Sequence, residues 1–307
     1  MILTIDFNPI LKRRYIFDRL DDRETNIPLK TEYGAGGEGI EMSYLLNALN
    51  EEVKVGGCIG GINGTYIQYG LTQYRIPNSF IPIRDDTPET IILSDRDREL
   101  VIKSREQRIT REEVESFYEL FNKIVMQAEI ICFMGKIPES MPSEIIYDFV
   151  ETAQRCNAKV LIRLKGEELR YTLDTVPYLL LIDKEDLEDL TKLRLDTSGE
   201  IIGASRYIMD SGVKNLVINL DNRGSILINK DSYYRINVIN DNKGFITNTA
   251  HMLGGYALSI SRGYDIEMMA KLGQACGMVN SYIEDEIKDM GDIKFVMNEI
   301  EVSKYDY

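Results

Sequence analysis

The stretch from Thr110 to Leu220 narrows the possible folds most, because short apolar runs alternate there with helical patterns. Ile130 to Met134, Val160 to Ile162, Tyr178 to Ile182 and Leu216 to Leu220 are strand-length and apolar almost throughout. Continuous rather than alternating apolar content marks strands covered on both faces, as in a parallel sheet. Between them, Thr110 with Glu113 forms a capping-box pattern, followed by Val114, Phe117, Leu120, Phe121, Ile124 and Val125 at helical spacing. A second helical segment runs from Ser143 to Ala153. Strand–helix succession of this kind implies right-handed crossovers and a doubly wound, mostly parallel α/β sheet.

The N-terminal part fits the same plan with an addition. Ile2 to Ile5 and Val53 to Ile59 read as strands of the main sheet, and Gly34 to Gly39 opens a helix through Met42, Leu45, Leu46 and Leu49. Arg14 to Phe17, Leu29 to Tyr33, Thr90 to Leu93 and Glu99 to Lys103 are short and half polar, the last two forming a hairpin around Ser94 to Asp97. They predict a small separate β-sheet lid, discontinuous in sequence, from about 11–33 and 88–105. After a hairpin at Asp221 to Gly224, helices near Ala250–Ser261 and Ile266–Tyr282 close the core, with Met268, Met269 and Met278 on packed faces. Val302 to Tyr307 reads as a frayed end. The expectation is one domain over 1–307.

Composition removes several function classes. The net charge is −14 over 307 residues, and no basic stripe is present to reward a nucleic-acid backbone. The four cysteines, Cys58, Cys132, Cys156 and Cys276, are scattered without a paired motif, so reduced thiols in a cytoplasmic protein are expected. His251 is the only histidine, which excludes a histidine-rich metal site. No signal peptide and no membrane segment are expected.

Several phrases, taken in order, resemble the pfkB family of ribokinase-like carbohydrate kinases, in its 1-phosphofructokinase and tagatose-6-phosphate kinase branch. Ile5-Asp6-Phe7-Asn8-Pro9 is similar to the family's TLNP opening, and Tyr33 to Ile40 to YAGGKGIN. Gly56 to Gly61 resembles GFVGG, Pro177 to Leu187 resembles PYLIKPNKEEL, and Ala275-Cys276-Gly277 resembles ACG. The resemblance covers nearly the whole chain. It implies ATP and Mg²⁺ as co-substrates, a sugar phosphate as acceptor, and a homodimer clasped through the lid, for which Ile91, Ile92, Val101 and Ile102 are suited.

The positions that would do the chemistry hold other residues. Where the family has GAGD, whose aspartate takes the sugar hydroxyl's proton, this chain reads Thr247-Asn248-Thr249-Ala250. Loss of a positioned base is worth about 10²–10⁴-fold in rate. Where an aspartate grips the sugar after Asn8, Lys12 stands. Gly36 and Gly37 are kept, but Glu38 replaces a lysine and Glu41 an asparagine. A carboxylate about 4 Å from a phosphate repels it by about 4 kcal/mol at an effective dielectric of 20. On the nucleotide side, Lys136 follows Gly135, and Asp183 and Asp186 stand in the NKEE run, Asp186 being the weak metal candidate. Asp221 and Gly224 occupy the GADG turn. His251 and Asp241 are the candidate substitute bases, although the neighbouring helix position points elsewhere and Asp241 sits in a turn-forming run.

Two readings of different class follow. In the first, a catalytically impaired homologue, a pseudoenzyme, acts by binding a sugar-like metabolite, a protein partner or itself. In the alternative, an active ATP-dependent carbohydrate or phosphosugar kinase works with rearranged catalytic residues. Glu38 and Glu41 either form a solvated face or an amine or cation site opposite Lys12.

Overall fold

The computed structural model describes residues 1–307 apart from 22, 240–246, 283–286, 288 and 307. Strands β1 (Ile2–Asp6), β2 (Ile10–Ile16) and β3 (Lys30–Gly36) are followed by helix α1 (Glu38–Ala48), β4 (Val53–Gly60), α2 (Gly61–Gln73) and β5 (Asn78–Ile83). Strands β6 (Glu89–Ser94) and β7 (Glu99–Lys103) precede α3 (Arg111–Ile124), β8 (Ile130–Met134), α4 (Ile145–Arg155), β9 (Lys159–Arg163) and α5 (Gly166–Leu173). Then come β10 (Leu179–Asp183), α6 (Lys184–Thr191), α7 (Ser198–Met209), β11 (Asn215–Asn219), β12 (Ser225–Asn229) and β13 (Ser232–Val238). Helices α8 (Thr249–Ser261), α9 (Ile266–Tyr282) and α10 (Met290–Met297) and strand β14 (Ile300–Asp306) complete the chain.

The ten-stranded main sheet runs β14-β13-β12-β11-β10-β9-β8-β1-β4-β5. From β5 to β11 every neighbouring pair is parallel, and the last three strands are added antiparallel. Leu3, Ile5, Phe117, Phe121, Phe149, Leu187 and Ile201 belong to the core on one face, beneath α3 to α7. Ile40, Leu46, Ile67, Leu253, Tyr256 and Met278 fill the other, beneath α1, α2, α8 and α9. The Phe121 and Phe149 rings meet edge to face at 4.8 Å, and such a pair contributes about 0.5–1.5 kcal/mol beyond its buried area. The capping box at Thr110 and Glu113 is formed.

The four half-polar segments form a second sheet of order β3-β2-β6-β7. Strand β3 reaches Gly36, so the sheet runs directly into the glycine turn before α1. Arg13 pairs with Tyr33 and Ile91, and Ile91 with Ile102, on one face. Ile92 pairs with Val101 on the face that also carries Lys12.

Two expectations fail. The C-terminal tail is the edge strand β14, registered along β13 from Ile300↔Val238 to Asp306↔Ser232. Its Tyr305 ring stacks on Tyr233 at 5.0 Å, a long-range contact that no local pattern encodes. Met268 is 41% exposed, whereas Met269 and Met278 are core.

Candidate functional site

Strand β1 lies between β4 and β8, and the chain leaves it in one direction and later returns on its other side. In an open α/β sheet the crevice at the carboxyl ends of such a reversal receives the ligand. Asp6 and Met134 are register partners at that end, so Asp6, Asn8, Gly135 and Lys136 stand at the crevice. The N-termini of α1 and α8 close it from above.

Asp6 is fully buried, and its Oδ2 accepts the amides of Gly39 at 2.9 Å and Ile40 at 3.2 Å. Its Oδ1 accepts the Asn8 amide at 3.0 Å. Gly37, the residue before α1, has φ 117° and no side chain to cap the helix, and a Cβ there would strike Asp6 Oδ2. Asp6 therefore caps α1 from the neighbouring strand. The first amides of a helix lack partners within it, and here Asp6 supplies the acceptor. Burial pushes the Asp6 pKa up to about 7 against the amide bonds of Asn8, Ile40 and Gly39, with Glu38 raising it further.

Lys12, on β2, forms an ion pair with Glu41 on α1, and its aliphatic stem lies over Gly36. Glu41 Oε2 also accepts from Asn248 Nδ2 at 3.4 Å. Asn248 caps α8, its side chain accepting the His251 amide at 3.0 Å, and Ala250 is buried in the first turn. The His251 ring donates to the Glu41 backbone carbonyl, and burial, aided by Lys12 and opposed by Glu41, lowers its pKa to about 4. An imidazole that holds a proton so weakly is a poor base at neutral pH. Asp241, the other substitute base, lies outside the described residues.

Beside this cluster is a cavity of about 250 Å³ bordered by Glu38, Lys136, Arg163, Lys165 and Glu168, between the positive-φ turns at Gly135 and Gly166. Arg163 Nη2 donates to Asp183 Oδ2 at 2.9 Å and Lys165 Nζ lies 2.7 Å from the same oxygen. Asn219 Nδ2 donates to Asp183 Oδ1 at 3.0 Å and to Asp221 Oδ1 at 3.2 Å. Burial works to raise the Asp183 pKa, but Arg163, Lys165 and Asn219 outweigh it and hold the carboxyl below its ordinary value. With donors on both oxygens, Asp183 is not free to ligate a cation, and Asp186 Oδ2 accepts the Asp183 amide at 3.0 Å. Among the described residues no group of three or more His, Cys, Asp or Glu side chains is placed to hold a metal. Lys136 pairs with Glu106 at 2.5 Å and Glu139 at 3.5 Å. Gly224, at φ +83°, closes the turn after Asp221, and a Cβ there would collide with the Ile236 carbonyl.

The structure thus joins the residues expected on the sugar side with those expected on the nucleotide side. Glu38 is the hinge between them, bordering the cavity while accepting the Gly135 amide. Burial raises its pKa, Arg163 and Lys165 pull it down, and Glu41 raises it again. Glu38 Oε2, Asn8 Oδ1, Thr247 Oγ1 and His251 Nδ1 are buried at this crevice without a hydrogen-bond partner among the described residues. Asp6, Arg163 and Lys165 were not foreseen. Their only sequence signal is a charged residue ending or following an otherwise apolar strand.

The profile of pfkB family carbohydrate kinases matches residues 6–281. The 1-phosphofructokinase of Borreliella burgdorferi is 26% identical over 306 residues, covering 98% of each chain. That of Bacillus subtilis is 24% identical over 292 residues, covering 93% of this chain and 94% of its own. The structure of Escherichia coli phosphofructokinase-2 in complex with fructose-6-phosphate superposes with a TM-score of 0.83 at 17% identity, over 97% of this chain and 98% of that one.

Proposed function

Because this chain belongs to the pfkB family of carbohydrate kinases, we propose that it is an ATP-dependent kinase for a sugar phosphate, working through a rearranged transfer site. The observation that carries this reading is the group of polar atoms at the switch-point crevice without a partner among the described residues, Asn8 Oδ1, Glu38 Oε2, Thr247 Oγ1 and His251 Nδ1. Buried polar atoms are rarely left unsatisfied. Three of these four act only as acceptors here, and they suit the hydroxyls of a sugar. The Lys136 and Lys165 ammonium groups at the cavity suit its phosphate or that of the nucleotide. The near full-length similarity to two 1-phosphofructokinases favours turnover over loss of activity. In this reading Asp186 would meet the Mg²⁺ that accompanies ATP, and the small sheet of β2, β3, β6 and β7 would close over the crevice.

One observation favours the impaired reading: Ala250 stands where the resemblance places the base. A binding-only homologue would keep the crevice and lose transfer. The deciding experiment measures ADP release from Mg-ATP with fructose 1-phosphate, fructose 6-phosphate and tagatose 6-phosphate, beside calorimetric titration of nucleotide. Transfer to one of them supports the kinase. Sugar phosphate binding with neither transfer nor nucleotide binding at millimolar concentration leaves the impaired homologue.

The protein acts in the cytoplasm as a homodimer in this reading. Arg13, Tyr33, Ile91 and Ile102 share the small-sheet face turned away from Lys12, and the β7 edge leaves Leu100, Val101 and Ile102 about half exposed. Light scattering of Ile102→Lys against wild type tests it, a monomeric wild type being the result that sinks it.

A further inference from the structure

We propose that Glu38 is the general base of phosphoryl transfer, doing from the first turn of α1 what a carboxylate at position 250 would do from the first turn of α8. This rests on the kinase reading above. A base must be a group with a free lone pair, within reach of the accepting hydroxyl, in a place from which water is largely kept out. Among the carboxylates around the crevice, Asp6 has its oxygens filled by three amides. Asp183 is filled by Arg163, Lys165 and Asn219, and Glu41 is paired with Lys12 and Asn248. Glu38 alone of these four borders the cavity and keeps a buried oxygen, Oε2, without a partner among the described residues.

Its position joins it to the place where the base is missing. Arg163, which lines the same cavity, donates through Nε to the Thr249 hydroxyl at 2.8 Å, one residue before Ala250. The same guanidinium holds Asp183 and lies close enough to act on the Glu38 charge. A hydroxyl held between Glu38 and the first turn of α8 passes its proton to Glu38 Oε2. Its oxygen bonds to the γ-phosphorus of Mg-ATP as the bond from that phosphorus to the β–γ bridging oxygen breaks, and ADP leaves with the electron pair. The charged groups facing Glu38 are Asp6 from β1, Glu41 on its own helix, Lys136 after β8, and Arg163, Lys165 and Glu168 from β9 and α5. Burial and Glu41 raise its pKa, while Arg163 and Lys165 at the end of β9 oppose the rise.

The test is the pH dependence of kcat for wild type, Glu38→Gln and Glu38→Asp with Mg-ATP and the accepted sugar phosphate, with melting curves for each. The expected result is a fall in kcat of about 10²–10⁴-fold in Glu38→Gln, with KM for ATP changed less than about threefold and the acid limb of the profile gone. Glu38→Asp keeps a displaced acid limb. A Glu38→Gln enzyme within about threefold of wild type overturns this role and leaves the kinase reading standing. If Glu38→Gln does not fold, an unshifted acid limb in Glu38→Asp overturns it. A wild type that transfers no phosphate overturns both.

Discussion

Arg163 Nε donates to the Thr249 hydroxyl at 2.8 Å while its Nη2 donates to Asp183 at 2.9 Å, so one guanidinium ties the end of β9 to α8 and to β10. The arginine side chain is only 5% exposed. Removing it leaves Asp183 with Lys165 and Asn219 and leaves the Thr249 hydroxyl bare. We expect Arg163→Met to lower stability by roughly 3 kcal/mol, as for breaking a buried pair, and Thr249→Val by about 1 kcal/mol. Urea unfolding of both variants checks the ratio, and equal small losses would show that the tie contributes little.

Asp6 supplies a pH dependence with a defined sign. Its folded pKa is about 7 against an unfolded value of 3.8, so between those values the folded state holds more proton than the unfolded. Stability from this group is present at low pH and is lost as pH rises from 3.8 through 7. The melting temperature of wild type minus that of Asp6→Asn should therefore move in favour of wild type as pH is lowered from about 8 to about 5. A difference independent of pH would mean that the carboxyl keeps its ordinary titration.

Restoring a carboxylate at position 250 separates the two readings of the site. If Glu38 already takes the proton, Ala250→Asp raises kcat by less than about tenfold. A gain of about a hundredfold or more would mean that deprotonation was limiting and that no other group served it. A steady-state assay on the folded variant gives the answer.

Ending the chain after Glu299 removes β14, the Tyr233–Tyr305 stack and the pairing along β13. The new edge would be unpaired, which invites edge-to-edge association. A clear drop in melting temperature with aggregation on heating is expected. An unchanged melt would mean that the strand is dispensable.

The sheet was legible because buried parallel strands have to be apolar along their length, as Ile130 to Met134 is, and the small sheet because its strands alternate. Lys12, Glu38 and Glu41 stood out only as departures from the family's residues at those positions, and the sequence did not show that Lys12 and Glu41 pair. Asp6 was not, because one aspartate at a strand end looks like ordinary surface polarity until α1 is seen above it. Arg163 and Lys165 acquire meaning only beside Asp183, which follows them by a whole helix. Tyr305 finds Tyr233 across more than seventy positions, a pairing beyond any local pattern.

The Lys12–Glu41 pair also constrains how this crevice can change. Replacing Lys12 by the aspartate of the pfkB resemblance would set two carboxylates against each other, and replacing Glu41 by asparagine alone would strand an ammonium beside His251. Either change alone removes the other residue's partner, so the two substitutions are expected to be non-additive. The charge of the crevice is thus set jointly by β2 and α1, and only a paired exchange keeps it balanced.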